Sequence, residues 1–437
     1  MAVIPFRFVH AAQLMLDEPL RGLAPGLTGE VRKLCEDATL IAWERIVSLC
    51  IESQAACLLL VGNSFSDVSG SLRARVALER GCQQLAQHQI AVIAVPGKLD
   101  PASAWKLQVN LPANVRLLAD EHAPPLLIRR GAEVLASVRV LASASADESD
   151  WPAGGPAVLD QVHAPFHIGL VPPGAPVEWD RGRVLPVDRP DVPRAAATLI
   201  QAAVSGGVQY VALGGGRRQT HPLHAAVGVV HDPGPVQSLQ ASVSGPCGVS
   251  VVDVQENGQT RIAPSTVAPV RWEPIGLELE RGDQRSDLVD QMALTLLERE
   301  PDSDDELWIV QWKLRGEGKL FESLAAAEAQ RELWNLLERE VGETHATRRI
   351  HQLQREPLWE KLLAAAEISV GRELLELVEE TAVDHCELAR EELLGWDWQG
   401  AAERGEIAAV LDRLSPEDLV AAARSVGMAA LAATGRE

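Results

Sequence analysis

The chain has 437 residues, 46% of them apolar, so it is long enough for two or three globular domains with at least one full-sized core. It contains no run of about 18 apolar residues, and its first residues lack a basic segment followed by a long apolar stretch. We therefore expect a cytoplasmic protein without membrane insertion. Its six cysteines form no Cys-x-x-Cys pair, which argues against zinc-finger patterns and favours buried thiols, for example at Cys50 and Cys57.

The formal net charge of −21 is unevenly distributed along the chain. Residues 1–270 carry 21 basic and 24 acidic side chains, whereas residues 271–437 carry 19 basic and 37 acidic side chains. Nucleic-acid affinity comes largely from Lys and Arg that replace counterions at phosphates. The acidic C-terminal part therefore makes direct nucleic-acid binding doubtful.

The first 120 residues alternate short apolar runs with amphipathic stretches. Continuous apolar runs predict buried strands, and apolar residues at helical spacing predict helices. Strands of this kind, separated by helices, are typical of an α/β domain whose sheet is covered on both faces. The predicted strands are residues 6–10, 56–61 and 90–95, and the predicted helices are residues 29–53 and 72–87.

The middle of the chain is predicted to be rich in strands. Residues 142–156 are small, acidic and turn-forming, which predicts a surface loop. Around residues 268–272 the chain is expected to leave this domain. Further strands are predicted at residues 166–171, 210–213, 226–230 and 248–254.

The last third of the chain is predicted to be mostly helical and acidic. Residues 302–306, Asp-Ser-Asp-Asp-Glu, predict an exposed turn, and residues 308–314 alternate like a strand. From residue 325 onward, Leu, Ala, Glu and Arg dominate at helical spacing. We expect three domains, at residues 1–272, 273–365 and 366–437.

The turns that follow the strands are the expected place for a site, because ligands of open α/β sheets bind beyond the carboxyl ends of strands. Three early segments are FRFVHAAQLMLDEPLRGL (6–23), LLLVGNSFS (58–66) and IAVIAVPGKLDPAS (90–103). Their order and context resemble the first three motifs of the SbcD and YhaO-like DNA repair exonucleases, a branch of the calcineurin-like metallophosphoesterases. In that family the motifs are Asp-x-His, Gly-Asp-x-x-Asp and Gly-Asn-His-Asp.

The resemblance continues over nearly the whole chain. FHIGLVPPG (166–174) resembles the strand with a lone His, and YVALGGGRRQ (210–219) resembles the strand that ends in Gly-His-x-His. Residues 308–324 resemble the family's capping domain. The resemblance implies a four-layer α/β/β/α sandwich, a small α+β capping domain and a helical C-terminal region.

The positions of the family's metal ligands are all substituted. In the family, carboxylates, imidazoles and an Asn amide hold two Mn²⁺-type ions, and a His of the third motif serves as acid or stabiliser. Without these groups we expect no metal cofactor and no metal-dependent catalysis. The residues at the corresponding positions are Gln13, Met15, Asn63, Ser66, Lys98, Leu99, Pro172, Gly215 and Arg217.

Two hypotheses would give the substituted site a new role. Lys98 and Arg217 could mimic the lost ions and bind an anion such as phosphate, or they could simply point into solvent. A relocated metal site could form from His221, His224 and His231 with Asp232, although Pro222 argues against a regular helix there. Solvated or core histidines are the alternative.

The resemblance implies a noncatalytic scaffold or regulatory subunit for an SMC-like ATPase of the SbcC or YhaN type. In the family, C-terminal helices dock onto that ATPase, and relatives often form homodimers. Leu374, Leu375 and Val378 would share one face of a tail helix suited to such docking. The alternative function is an active metallophosphoesterase or DNA exonuclease with a divergent or relocated metal site.

Overall fold

The computed structural model describes residues 3–23, 27–120, 123–141, 164–171, 207–222, 228–280, 282–302, 304–342 and 348–357. The predicted loop at residues 142–156 and the predicted tail at 366–437 lie outside the described residues.

The described elements alternate strands and helices in the first part of the chain, as the apolar runs predict. The strands are β1 (Phe6–Ala12), β2 (Cys57–Val61), β3 (Ala91–Val95), β4 (Val115–Leu117), β5 (Leu126–Arg130), β6 (Glu133–Val140), β7 (His167–Val171), β8 (Tyr210–Leu213), β9 (Gln219–Pro222), β10 (Val229–Asp232), β11 (Gly248–Val254), β12 (Thr260–Thr266), β13 (Val270–Leu279), β14 (Leu307–Gly316) and β15 (Arg348–Pro357). The described helices are α1 (Gly29–Glu52), α2 (Leu72–Gln87), α3 (Ala102–Gln108), α4 (Arg285–Leu297), α5 (Lys319–Ser323) and α6 (Ala327–Val341).

The first sheet has the strand order β12-β11-β1-β2-β3-β4. Strands β1 to β4 run parallel, and the β11–β12 hairpin is antiparallel to β1. Every residue of β2 is buried, which fits a strand covered on both faces. The register places Ala12 beside Val61, and Val61 beside Val95. Strands β1, β2 and β3 therefore end side by side at one edge.

The second sheet has the order β5-β6-β7-β8-β10-β9 and stacks on the first. Apolar side chains of both sheets form one core cluster, including Phe8 and Leu59 of the first sheet and Ile168 and Tyr210 of the second. The other face of the first sheet packs against α1, α2 and α3 through a second cluster that includes Trp43, Leu78 and Trp105.

The described residues thus form a helix layer and two stacked sheets. The predicted α/β class is confirmed, since two large mixed sheets and their helices make up this part of the chain.

The third sheet has the order β13-β14-β15. The chain divides into two compact units, and residues 1–276, 289–313 and 331–354 form the first. The second comprises residues 277–288, 314–330 and 355–437, and in its described part the Arg355 guanidinium lies 5.3 Å from the ring centre of Phe321. The three domain ranges expected from the sequence stay a prediction.

Several local predictions are confirmed and two need correction. The helix at 72–87 and the strands at 210–213 and 248–254 have the predicted bounds. The strand predicted at 226–230 is instead β10, displaced towards the carboxyl end. Residues 302–306 are not wholly exposed, because Asp305 is buried with its Oδ2 accepting hydrogen bonds from Arg271 Nη1 and Trp308 Nε1.

The expectation of buried thiols is confirmed for the described cysteines. Five are free and buried, at positions 35, 50, 57, 82 and 247. Burial raises the pKa of the Cys82 thiol to about 12. Within the described part of the chain, each helix is too short or too polar to cross a bilayer.

Candidate functional site

The turns after β1 and β2 are joined by backbone hydrogen bonds. The amide of Gln13 donates to the carbonyl of Gly62 at 3.2 Å, and the amide of Met15 donates to the carbonyl of Asn63 at 3.0 Å. These bonds continue the parallel pairing of β1 and β2 beyond the last strand residues. The first two motif positions therefore lie side by side at the carboxyl edge of the first sheet.

The turn after β8 reaches the same edge from the second sheet. A methyl group on Gly214 would lie 2.3 Å from the carbonyl oxygen of Val61, closer than real side chains approach backbone. Gly214 therefore lets the last residue of β2 and the first residue after β8 touch. This contact brings the turn that carries Gly215 and Arg217 towards the turns after β1 and β2.

Three of the substituted positions have left-handed backbone conformations. The φ angles are 51° at Gln13, 46° at Met15 and 48° at Asn63. Residues other than glycine rarely adopt such angles, and each costs of order 1–3 kcal/mol unless the surrounding structure imposes it. Such strain is common at functional sites. The turn geometry of a site is thus present, whichever side chains occupy it.

The side chain of Asn63 is engaged within the turns. Its Oδ1 accepts a hydrogen bond from the amide of Leu99 at 3.2 Å, and a methyl group on Gly97 would lie 2.3 Å from the same oxygen. Asn63 therefore ties the turn after β2 to the turn after β3. This position therefore holds a neutral amide with a local structural contact.

The remaining substituted positions are distributed around these turns. Gln13 and Met15 are half-buried, whereas Lys98 and Leu99 are exposed. Arg217 is also exposed, and its Nη2 donates to the carbonyl of Ser242 at 3.0 Å. Pro172 lies outside the described residues. Two further positions are Ser66, which is half-buried, and Gly215, which is exposed.

These side chains do not fit a pair of Mn²⁺-type ions. Such ions prefer carboxylate oxygens and imidazole nitrogens, and two ions held close together need at least one bridging anion. The described turns offer amides, a thioether, an ammonium and a guanidinium at the ligand positions. Among the described residues, no group of three or more His, Cys, Asp and Glu is arranged to hold a metal.

Asp100 is a buried carboxylate that fastens two of the turns to each other. Its Oδ1 accepts hydrogen bonds from the amides of Asn63 (2.9 Å) and Gly97 (2.6 Å). Its Oδ2 accepts from the amide of Ser64 (2.8 Å) and from Trp105 Nε1 (3.1 Å). Burial raises the pKa of Asp100 to about 6, although these hydrogen bonds oppose the rise. Three of these donors are backbone amides of the turns and the fourth is the buried indole of Trp105, so the carboxylate acts as a structural acceptor.

Asp232 is a second buried carboxylate, and it links the turn after β8 to the turn after β10. Its Oδ2 accepts from the amide of Gly216 at 2.8 Å, and its Oδ1 accepts from the amide of Gly234 at 2.8 Å. Burial raises the pKa of Asp232 to about 6. Both oxygens of this carboxylate are therefore already in use.

His231 is likewise held by its neighbours. Its Nδ1 lies 2.7 Å from the hydroxyl of Thr220 and its Nε2 lies 2.8 Å from the hydroxyl of Ser250. Burial, then the charge of Arg218, lower the pKa of His231 to about 4, so the ring is neutral at pH 7. Of the other residues in the relocated metal hypothesis, His221 lies in β9, opposite Val230 of β10, and His224 lies outside the described residues.

His10 extends this buried polar group between the two sheets. Its Nδ1 lies 3.0 Å from the hydroxyl of Tyr210, and its ring centre lies 5.8 Å from that of His231. Burial, then the proximity of His231, lower the pKa of His10 well below 6.5. The His10 side chain is fully buried.

The sequence did not reveal the roles of Asp100 and Ser250. Asp100 survives as the one acid of the third motif, and its position three residues after Gly97 was the available signal. Ser250 interrupts an otherwise apolar strand on its buried side, which could have indicated a polar partner across the sheets.

Comparison with known proteins finds a sequence similarity to a metallophosphoesterase. No protein-family model matches the chain. The uncharacterized metallophosphoesterase YhaO of Bacillus subtilis (strain 168) is 24% identical over 273 residues, which cover 62% of this chain and 63% of that protein. The chain thus aligns with less than two thirds of this relative's length.

Two solved structures resemble this chain only weakly, as their TM-scores show. A dimetal phosphatase from Danio rerio is 10% identical, with 61% of this chain and 100% of that chain covered and a TM-score of 0.34. Vps29 of Chaetomium thermophilum is 12% identical, with 59% and 93% covered and a TM-score of 0.24. The fold assignment therefore rests on the strand orders and the stacked sheets themselves.

Proposed function

We propose that this chain is a catalytically inactive metallophosphoesterase, a pseudonuclease of the SbcD type, that serves as a scaffold or regulatory subunit. One observation carries the proposal. The turns after β1, β2, β3 and β8 are held together by backbone contacts, while Asn63 stands where a bridging carboxylate is required and forms a contact within the turns.

Electrostatics supports the same conclusion. Two divalent ions bring four positive charges, and neutral amides and a thioether cannot balance them. Lys98 and Arg217 add two positive charges at positions where the resemblance places metal ligands. Two buried acids, Asp100 and Asp232, lie next to these turns. Their carboxylate oxygens already accept hydrogen bonds from backbone amides.

The alternative of a relocated metal site loses two of its four groups to local contacts. A metal at His231 would have to displace the hydroxyl of Thr220 or Ser250, and a metal at Asp232 would have to displace a backbone amide. Either exchange leaves a hydroxyl or a backbone amide of the chain without its present hydrogen-bond partner, which is unfavourable.

Metal content and turnover test the proposal directly. We expect purified protein to contain far less than two equivalents of Mn, Fe and Zn per chain. We also expect no Mn²⁺-dependent cleavage of bis-p-nitrophenyl phosphate or of double-stranded DNA ends above a blank. About two metals per chain together with turnover would overturn the proposal.

A matched pair of variants identifies the origin of any residual activity. Asn63→Ala removes the side chain at the centre of the turns, whereas Asn257→Ala changes an exposed Asn in the β11–β12 hairpin. Activity that falls only in Asn63→Ala would belong to this chain and contradict the proposal. Activity that is equal in both variants would come from a contaminating nuclease.

The partner that we propose is an SMC-like ATPase of the SbcC or YhaN type. Support comes from the family resemblance and from the helical spacing of Leu374, Leu375 and Val378, which would give a tail helix one apolar face. We expect co-expression with such an ATPase to yield a complex on size exclusion, and deletion of residues 366–437 to abolish it.

Paired substitutions sharpen the partner test. Aspartates at the three apolar positions should prevent complex formation, whereas glutamines at Glu373, Glu376 and Glu380, on the opposite face, should not. Equal recovery of the ATPase with all forms of the chain would refute docking through the tail. A homodimer alone on size exclusion would favour self-association instead.

A further inference from the structure

A cavity of about 740 Å³ lies at the edge of the two stacked sheets, between β9 and β10 of the second sheet and β11 and β12 of the first. Its lining is mixed, with polar Arg218, Thr220, His231 and Gln259 beside apolar Ile262. None of the described substituted positions lines it. Its volume lies in the usual range for sites that take small organic ligands.

Arg218 gives this cavity a fixed positive charge. Its Nε donates to the carbonyl of Pro233 at 3.1 Å, and Gly234 lies so close that a methyl group there would be 2.9 Å from the amide nitrogen of Arg218. The buried Nη2 has no hydrogen-bond partner in the part of the chain that the structure describes. The hydrogen bond of Nε therefore holds the guanidinium in place where Arg218 lines the cavity.

The residues that line the cavity include no acid among those described. Asp302 is a carboxylate whose charge acts on Arg218, and its Oδ2 accepts a hydrogen bond from Thr266 Oγ1. An anion in the cavity would therefore meet Arg218 without a carboxylate in the lining to repel it.

The hydroxyls on either side of His231 add an uncharged donor. A neutral imidazole donates through one nitrogen and accepts through the other. One of the hydroxyls of Thr220 and Ser250 must therefore accept from the ring and keep its own proton for another acceptor. Whichever tautomer is present, the chain of hydroxyl, imidazole and hydroxyl can present one O–H donor.

We propose that this cavity binds a small organic anion of about nucleotide size, with a phosphate or carboxylate group against Arg218. The hydroxyl of Thr220 and the amide of Gln259 supply further hydrogen bonds, and Val229 and Ile262 contact the apolar part of the ligand. The site does not depend on metal binding at the turns, so its existence is independent of the function proposed above.

Binding of AMP to the purified full-length chain, measured by isothermal titration calorimetry, tests the site. We expect saturable binding of AMP and at least about tenfold weaker binding of adenosine, because adenosine lacks the charge that pairs with the guanidinium. Citrate serves as the carboxylate probe, and comparable binding of citrate would identify the carboxylate form of the ligand. Absence of AMP and citrate binding at millimolar concentration would overturn the proposal.

A second arginine provides the matched control. Arg218→Gln should weaken binding of the anion about tenfold or more, whereas Arg261→Gln, at an exposed position of β12 outside the lining, should change its affinity less than about twofold. Thr220→Val should weaken binding severalfold and provides a second measurement if Arg218→Gln fails to fold. A loss of affinity in Arg217→Gln alone would place the anion at the turns and overturn the proposal.

These results are distinguishable from failure of the proposed function. Metal content and turnover report on the turns after β1, β2, β3 and β8, whereas the AMP titration reports on the edge between β9 and β12. Either can fail without the other.

Discussion

Replacement of Gly214 by alanine should destabilise the protein through the contact between the two sheets. The added methyl group would lie 2.3 Å from the carbonyl oxygen of Val61 and 2.9 Å from its Cγ1. Gly214 is not among the glycines with positive φ, so its conformation alone does not require glycine. The cost therefore comes from the contact, and because the nearest atom belongs to the backbone, the two strand ends must separate.

The expected size of the destabilisation follows from the cost of overpacking and from comparison with a second glycine, Gly276. Added methylene groups in packed regions typically cost about 1–3 kcal/mol. Gly276, in β13, has no heavy atom within 4 Å of the equivalent methyl position and is exposed. Alanine at Gly276 should be neutral or stabilise by about 0.4–1 kcal/mol through the unfolded chain. The two variants should thus differ by about 1–4 kcal/mol.

Urea denaturation followed by circular dichroism measures this difference. We expect a lower urea midpoint for Gly214→Ala and a urea midpoint equal to or above that of the wild type for Gly276→Ala. Equal midpoints for both variants would show that the turn after β8 does not press on β2. The convergence of the turns would then lose its main support from the second sheet.

Three further predictions concern charge and burial. Because the pKa of His231 is lowered to about 4, its contribution to stability should be full above pH 6.5 and fall as the pH drops towards 4, with about 2 kcal/mol lost at pH 5. His231→Gln should remove this part of the acid sensitivity in urea titrations at pH 7 and pH 5, and an unchanged pH slope would refute the assignment. Asp100→Ala should lower the free energy of unfolding by about 3 kcal/mol or more, since four buried donors lose their acceptor, whereas Asp253→Ala, at a partly exposed ion pair, should cost less than about 1 kcal/mol. If Lys98 and Arg217 bind phosphate at the turns, Lys98→Glu should weaken inorganic phosphate binding and added salt should do the same, and unchanged affinity in calorimetry would refute that hypothesis.

The fold was predictable where one physical signal dominates. The run CLLLV in β2 is apolar throughout because both faces of the strand are covered, and α2 shows its apolar face at regular spacing. Strands with mixed patterns were missed. For example, β5 and β15 carry many charged residues, and their pairing with neighbours is set by tertiary contacts that the local sequence does not show.

Some features of the candidate site could likewise be predicted from the sequence, and others could not. The turns could be located from the sequence because each follows a strand and contains glycine, and Gly97 and Gly214 both prove to be close backbone contacts. The partners of Asp100 could not be predicted, since they come from three separate segments. Burial of Asp305 was also missed, because a run of acids predicts exposure unless a cation such as Arg271 is known to be adjacent.

The buried carboxylates of Asp100 and Asp232 hold the turns in place through hydrogen bonds. The shape of the turns therefore does not depend on which residues occupy their tips. The backbone is fixed from behind by carboxylates, so the tip positions can change without unfolding the domain. Single substitutions at the tips can therefore change the chemistry of this edge of the sheet and leave its backbone shape in place. Sequence patterns built on the spacing of such supporting acids and glycines would find relatives that patterns based on the tip residues overlook.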